Sequence, residues 1–364
     1  MGMDIRGASG HFAFRPTAHS FYMKDKIKKQ CNHYNSMEQK KQKTLFAENT
    51  DMPMINYTPG KHIPIFFSTD DNYIPFLDIA LLSLIDNADP SFDYRIIVLH
   101  TGLKEENIAL IKRNEKKGFA IDFINISAAV QNIRDSLKHV YHFAVAAYYR
   151  IFIASLFPEY EKVLYLDCDL IVLGDIAKLF NTNLGDNILA AAPEEYVQNT
   201  AEFRLYAEKA LGLNPDGYVN SGVLLMNLKE FRKCEIEKKF IHLITKYAFD
   251  LLDPDQAYLN FLCNGKILVL PNGWNKEPMS IPLEGDKNIV HYALYKKPWQ
   301  YDDVMDGEYF WQYAKNSPFY EEICLRRASF GEEERAQKSA MAHEILQHAL
   351  NIVALDETFS KKLC

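Results

Sequence analysis

Val163-Leu-Tyr-Leu-Asp167-Cys168-Asp169-Leu-Ile-Val172 decides how this chain is read. Lys162 to Leu166 is a compact apolar run with the length of a buried strand, and it stops at Asp167. Two carboxylates at i and i+2, released as a strand ends, can place their oxygens on the same side of the chain. They repel each other unless a cation lies between or beside them. A hard divalent ion that takes oxygen ligands and also bridges substrate phosphates meets that need. A pair of turn or capping aspartates is the other reading, and these ten residues leave both open.

Outward from this run the texture alternates between strand and helix. Ile63 to Thr69 is an apolar segment that stops at Asp70-Asp71-Asn72, and Tyr73 to Ile85 then shows helical spacing. Tyr94 to His100 repeats the strand signal, Lys104 to Lys117 reads as an amphipathic helix, and Phe119 to Ile126 as a strand. Val145 to Leu156 reads as a helix. Strands separated by helices need crossover connections, which predicts an α/β fold with a mainly parallel sheet covered on both faces. Ligands in such sheets sit at the carboxyl ends of the strands, where Asp70/Asp71 and Asp167/Asp169 both fall. The second half reads as a β-rich Tyr218 to Asn227, helices near 235–247 and 255–263, and short strands at Ile267 to Leu270 and Ile289 to His291. Glu332 to Leu355 has the composition of a polar amphipathic helix, an appendage or a self-association element that allows a homo-oligomer.

Bulk composition excludes several classes. With 41 Lys+Arg against 48 Asp+Glu among 364 residues, the formal charge is −7, so the surface does not gather nucleic acid by bulk attraction. Hydrophobic residues at 48% and charged residues at 24% are those of a globular protein rather than a disordered one. No run approaches the roughly 20 apolar residues that span a bilayer. Met1 to Thr17 carries Asp4, Arg6, His11 and Arg15 without an apolar block, which does not read as a secretory signal and sets a cytoplasmic expectation. The six cysteines lack the tight spacing of zinc sites and read as free thiols. Seven lysines between Lys24 and Lys43, with only Asp25 and Glu38 among them, mark residues 1–60 as a basic arm. The arm reads as a solvated extension or as a peripheral contact with an anionic membrane face. The expected organisation is thus this arm, a domain over residues 61–300 and a helical region over 301–364.

Four further segments carry chemistry-bearing side chains. Ser68-Thr-Asp-Asp-Asn-Tyr73 can cap the helix that follows it or hold a ribose or base edge at the sheet mouth. Asn220-Ser-Gly-Val-Leu-Leu-Met-Asn227 can be a hairpin with Gly222 at a close backbone approach. Asp253-Pro-Asp-Gln256 fits a helix start with Pro254 and acids in the first turn. His291-Tyr-Ala-Leu-Tyr-Lys-Lys-Pro-Trp299 can be a core histidine and a loop.

In this order and at these separations the segments resemble family 8 of the retaining glycosyltransferases, the group containing bacterial lipopolysaccharide galactosyltransferases and the glycogenins. The resemblance runs from about His62 to Trp299. It implies a GT-A fold, a Rossmann-like nucleotide-binding sheet merged with an acceptor-binding region, a UDP-hexose donor and Mn²⁺, with Mg²⁺ as the alternative. By motif, Asp167 and Asp169 look like metal ligands, with Asp167 also near the donor ribose, and His291 looks like the third protein ligand. An imidazole beside carboxylates suits Mn²⁺ better than Mg²⁺. Lys297 looks like a diphosphate contact, Ser68, Asp70, Asn72 and Tyr73 match the uridine-binding strand end, and Arg150 matches the helix position that reaches donor sugar and phosphate. Asn220, Asp255 and Gln256 match the positions that hold the transferred sugar, with Gln256 near the β face of its anomeric carbon. Glu194, after Ala190-Ala-Ala-Pro193, falls where the family has an acidic residue contacting donor or acceptor.

The chain departs from the family pattern in two places. Leu294 stands where the last motif carries glycine, and the arm before residue 60 has no counterpart in minimal members. The leading expectation is a hexosyltransferase acting on lipopolysaccharide or another cell-surface glycan. A self-glycosylating primer of the glycogenin type is the alternative, with 21 tyrosines as potential acceptors. A catalytically silent nucleotide-sugar binder is disfavoured by the intact metal motif, and a metal phosphohydrolase by the shortage of ligands for a second ion.

Overall fold

The computed structural model describes residues 62–131, 145–247, 249–294 and 296–364. The basic arm expected over 1–60 lies outside these residues. A seven-stranded sheet forms the centre, built from β1 (His62–Ser68), β2 (Asp93–His100), β3 (Phe119–Asn125), β4 (Lys162–Leu166), β6 (Leu189–Pro193), β7 (Val219–Asn227) and β8 (Ile267–Val269), in the order β3-β2-β1-β4-β7-β6-β8. The pairs β3-β2, β2-β1, β1-β4 and β6-β8 are parallel, while β7 runs antiparallel to both β4 and β6. A separate two-stranded ribbon pairs β5 (Leu170–Val172) with β9 (Ile289–His291).

Both faces of the sheet are covered, which is why its strands read as continuous apolar runs rather than alternating ones. Side chains still alternate between two cores. Phe66, Val163 and Tyr165 enter one core, and Ile65, Phe67, Leu164 and Leu166 enter the other. Helix α1 (Ile74–Asn87) follows β1 with Pro75 in its first turn, and its Leu77, Ala80, Leu81 and Leu84 are fully buried. Each such leucine contributes about 1.5–3 kcal/mol relative to exposure. Helix α2 (Pro254–Leu262) packs beside β7, and helix α3 (Glu332–Ala354) lays Ile345, Ala349 and Ile352 into the first core. The apolar stripe of α3 is therefore covered by the chain itself. No helix among the described residues is long and apolar enough to cross a membrane.

Three local expectations change. The helix read from Lys104 to Lys117 is α-helical only over Glu105–Ile111, followed by a 3₁₀ turn at Lys112–Asn114. Gly118, at φ +86°, then turns the chain so that Lys116 pairs with Phe119 and β3 begins. Val145–Phe152 is 3₁₀ rather than α, and α geometry is confined to Ile153–Leu156. In that tighter winding Arg150 Nε donates to the Ala147 carbonyl three residues back, at 2.8 Å. The β-rich reading of 218–227 holds, but as one central strand, β7, buried along nearly its whole length, and the hairpin reading of 220–227 does not.

Candidate active site

Strand register assembles the site. Ile65 pairs with Leu164 and Phe66 with Tyr165, so the ends of β1 and β4 bring Ser68 beside Asp167. Leu166 lies opposite Val223, and the Asp167 amide donates to the Gly222 carbonyl at 2.8 Å, which sets the paired acids against Asn220-Ser221-Gly222. In the ribbon, Leu170 lies opposite His291, and the Tyr292 amide donates to the Asp169 carbonyl at 2.9 Å. That pairing carries a histidine 122 residues away to the acid pair.

One ligand atom from each of Asp167, Asp169 and His291 lies within 4.8 Å of the other two, so the three can hold one ion. Gly222 makes room for them. A Cβ there would collide with the His291 ring and stand 2.8 Å from Asp167 Oδ2. Asp169 Oδ1 is 3.1 Å from His291 Nε2, and its Oδ2 accepts from Lys297 Nζ at 2.5 Å. Burial works against ionisation of Asp169, yet Lys297 and His291 hold its carboxyl well below the usual range. Two carboxylates, an imidazole and room at a glycine form a donor set that fits a divalent ion.

Arg150 ties this end to the sugar-side residues. It is 3% exposed, donates through Nη2 to Asp167 Oδ1 at 2.9 Å, and lies 3.2 Å through Nε from Asp255 Oδ2. Its guanidinium carbon is 4.2 Å from the Tyr165 ring centroid, and Tyr165 Oη donates to Asp167 Oδ1 at 2.9 Å. Burial opposes the Arg150 charge, but Asp167 and Asp255 more than offset it and raise its pKa. Burial raises the Asp255 pKa, with Arg150 acting against the rise.

A hydrogen-bond relay fixes the orientation of His291. Glu194 Oε2 accepts from Asn220 Nδ2 at 2.7 Å, which turns Asn220 Oδ1 toward the Asn275 amide, 2.8 Å away. Asn275 Oδ1 is thereby directed at His291 Nδ1, at 2.9 Å. An acceptor at Nδ1 leaves Nε2 as the nitrogen that faces the acids, 3.1 Å from Asp169 Oδ1, so Nε2 is the atom that would ligate an ion in place of its contact with that carboxylate. The relay starts at a carboxylate that can only accept, so each amide in it has one satisfactory orientation.

Gln256 is held just as firmly. Its Oε1 accepts from the Ser221 amide at 2.8 Å, while Nε2 donates to Glu194 Oε2 at 3.0 Å and Asp253 Oδ2 at 2.8 Å. Burial pushes the Asp253 carboxyl up to about 7. Glu277, fully buried beside Glu194, is raised well above its ordinary range by burial and by the Glu194 charge.

Of the residues expected from sequence, Ser68, Asp70, Tyr73, Arg150, Asp167, Asp169, Glu194, Asn220, Asp255, Gln256, His291 and Lys297 all line one cavity of about 270 Å³. Asn72 does not. Asp70 Oδ1 accepts from the amides of Asn72 and Tyr73, at 2.9 and 3.1 Å, and this turn leaves Asn72 exposed with its carbonyl accepting from Arg326. Asp70 therefore combines the turn role with a place on the cavity wall. Leu294 keeps the left-handed backbone that glycine favours, at φ +57°, a conformation that costs a leucine roughly 1–2 kcal/mol. Sequence reading did not single out Ser221, Asn275, Glu277 or Lys338. Ser221 lay inside a quoted motif, whereas Asn275, Glu277 and Lys338 lie far from any motif and reach the site only through folding.

Comparison with known proteins gives a consistent result. The model of Glycosyl transferase family 8 matches residues 64–303. The lipopolysaccharide 1,2-glucosyltransferase of Escherichia coli (strain K12) is 23% identical over 317 residues, which are 82% of this chain and 90% of that protein. The structure of the galactosyltransferase LgtC in complex with donor and acceptor sugar analogs is similar at a TM-score of 0.59 and 25% identity, over 75% of this chain and 99% of LgtC. The apo bifunctional glycosyltransferase WbbM shares the fold at a TM-score of 0.65 and 23% identity over 76% of this chain, which spans about half, 53%, of the WbbM chain.

Proposed function

Because the chain belongs to glycosyltransferase family 8 and has the GT-A fold, we propose that this glycosyltransferase moves a hexose, glucose or galactose, from a UDP-sugar to a glycan acceptor with retention of configuration. Lipopolysaccharide or another cell-surface glycan is the proposed acceptor class, the reading supported by the Escherichia coli relative. The observation that carries the proposal is the meeting of Asp167, Asp169 and His291 within 4.8 Å in the same cavity as Asn220, Asp255 and Gln256. We read residues 61–300 as the catalytic unit and 301–364 as a helical region added to it. The proposed setting is the cytoplasm, with the basic arm as the segment for peripheral contact at the inner membrane face.

In this reading Asp167, Asp169 and His291 hold Mn²⁺, preferred over Mg²⁺ because a nitrogen ligand is softer than oxygen. The ion when bound supplies Lewis-acid stabilisation of the departing diphosphate. Ser68, Asp70 and Tyr73 border the uridine, and Lys297 adds a point charge to the diphosphate. Asn220 and Asp255 hold sugar hydroxyls. Tyr196, Phe203 and Tyr206 on the same cavity wall offer apolar faces to the acceptor ring.

Transfer breaks the bond from the anomeric carbon to the diphosphate oxygen and forms one from that carbon to the acceptor oxygen. The acceptor's proton goes to the leaving diphosphate oxygen on the same face. Gln256 is an amide, and a double displacement needs a carboxylate nucleophile. Its role here is electrostatic. Donation of both N–H groups to Glu194 and Asp253 raises electron density on Oε1, which stabilises positive charge at the anomeric carbon as the oxocarbenium-like state forms.

A screen of UDP-sugars with Mn²⁺, scoring hydrolysis and transfer for each, tests the proposal. Turnover of one UDP-hexose above the others is expected. Failure of every UDP-sugar to bind or react would remove it.

A further inference from the structure

Helix α3 lies beyond residues 64–303, which the family model matches, yet it reaches the cavity. Arg335, Lys338, Ile345, Ala349 and Ile352 recur at spacings of three, four and seven, so they share one face of the helix. That face is anchored on both sides of Lys338. The Arg335 guanidinium carbon sits 5.4 Å from the Tyr301 ring centroid, and Ile345, Ala349 and Ile352 are buried in the core. Between these anchors Lys338 lines the cavity that also contains Lys297 and Asp169.

Lys338 is half-buried at the edge of this cavity. Among the described residues it makes no ion pair or hydrogen bond, and the charge acting on it is the like charge of Lys297. Burial and Lys297 both work against its ammonium, lowering its pKa. Lys297, by contrast, is engaged by Asp169 and the Tyr292 carbonyl. A flexible lysine on an anchored apolar stripe could turn to solvent at little cost. Two ammonium groups lining one cavity, one of them without a counter-ion among the described residues, fit a polyanionic ligand between them.

We propose that Lys338 binds the outer oxygens of the donor's diphosphate alongside Lys297, so that helix α3 completes the donor site. This inference rests on the reading of the cavity as a UDP-sugar site. It makes the helical region a contributor to donor affinity rather than a passive extension. The chemistry recognised is phosphate oxygen, and the donor is favoured over a phosphorylated acceptor because Lys297 is the neighbour on that wall.

The test titrates UDP and uridine, each with Mn²⁺, into the full-length wild type and the Lys338→Ala, Lys338→Glu and Lys338→Arg variants. UDP affinity should fall about tenfold in the alanine variant, further in the glutamate variant, and stay within about threefold of wild type with arginine. Uridine affinity should be the same in all four proteins, since it carries no phosphate. The slope of log Kd for UDP against log salt should be shallower in the alanine variant. Wild-type UDP affinity in Lys338→Glu would overturn the inference while leaving the proposed function standing. So would loss confined to transfer onto a phosphorylated acceptor with UDP affinity intact. Equal loss for uridine and UDP would mark a structural defect and overturn it too. If the wild type itself fails to bind UDP with Mn²⁺, the proposed function and this inference fall together.

Discussion

Where β4 stops, Asp169 stays well below the usual carboxylate range, its burial outweighed by Lys297 and His291, whereas where α2 begins, burial pushes Asp253 up to about 7. The two acids sit on the same cavity and are answered in opposite ways. At the first end cations stand ready beside anionic ligands: Lys297 on Asp169, Arg150 on Asp167. At the second end amides and hydroxyls do the work: Gln256 and Tyr218 donate to Asp253, at 2.8 and 2.6 Å. The first end is suited to exchanging one cation for another, and the second to holding a geometry. In the proposed reaction the departing diphosphate and the reacting sugar would make those same two demands.

The comparison breaks most readily at the cation end. Asp169→Asn should reduce transfer at least about 100-fold, or about 2.7 kcal/mol, and sharply weaken UDP binding in Mn²⁺ with the fold intact. Steady-state kinetics and UDP titration check this, and near-normal turnover would defeat the metal assignment. Gly222→Ala is the steric counterpart. Its new methyl enters the space between His291 and Asp167, so Mn²⁺ affinity should fall about 10–100-fold. Stability should drop by about 1–3 kcal/mol as the neighbours give way. A Mn²⁺ activation curve and a thermal melt read the two effects separately.

At the geometric end the expected signature differs. Gln256→Ala removes the donor to both Glu194 and Asp253 and the acceptor of the Ser221 amide. It should lower kcat by about 10–100-fold while changing UDP affinity less than about threefold. Unchanged kcat would take Gln256 out of the mechanism. A loss of UDP affinity equal to the loss in kcat would erase the distinction between the two ends.

Much of the cation end is visible in sequence because its residues follow strands. Asp167 and Asp169 end the apolar run Val163-Leu-Tyr-Leu, and His291 ends the short run Ile289-Val290. The sheet's alternation of strand and helix is legible for the same reason, since burial on both faces leaves continuous apolar runs. What the sequence could not convey is register. The placement of His291 depends on Leu170 lying opposite it, and no local pattern encodes that pairing. Asn275 and Glu277 follow the short 3₁₀ turn Asn272–Trp274, with nothing in the residues around them to announce a role, and they act on the site through hydrogen bonds to Asn220 and His291 that exist only in the folded chain. Asn72 illustrates the converse: a motif match carried it to the site, and a two-residue Asp70 turn takes its side chain away.

The smallest effect concerns stability and sharpens the comparison through its sign. Asp253 has an ordinary carboxyl value of 3.8 and is pushed up to about 7 in the fold by burial, so between those values the folded chain holds a proton that the unfolded chain has released. Stability from this group is full below about 3.8, falls as pH rises, and is lost above about 7. Asp253→Asn cannot titrate, and its amide oxygen can still accept from Tyr218 and Gln256. Relative to wild type, the variant should therefore gain stability steadily from pH 4 to pH 7 and hold that gain beyond it, each kcal/mol reading as about 1–2 °C in Tm for a chain of this size. Parallel Tm curves for the two proteins across that window would mean that Asp253 is ionised in the fold, and the geometric end would then be as charged as the cation end.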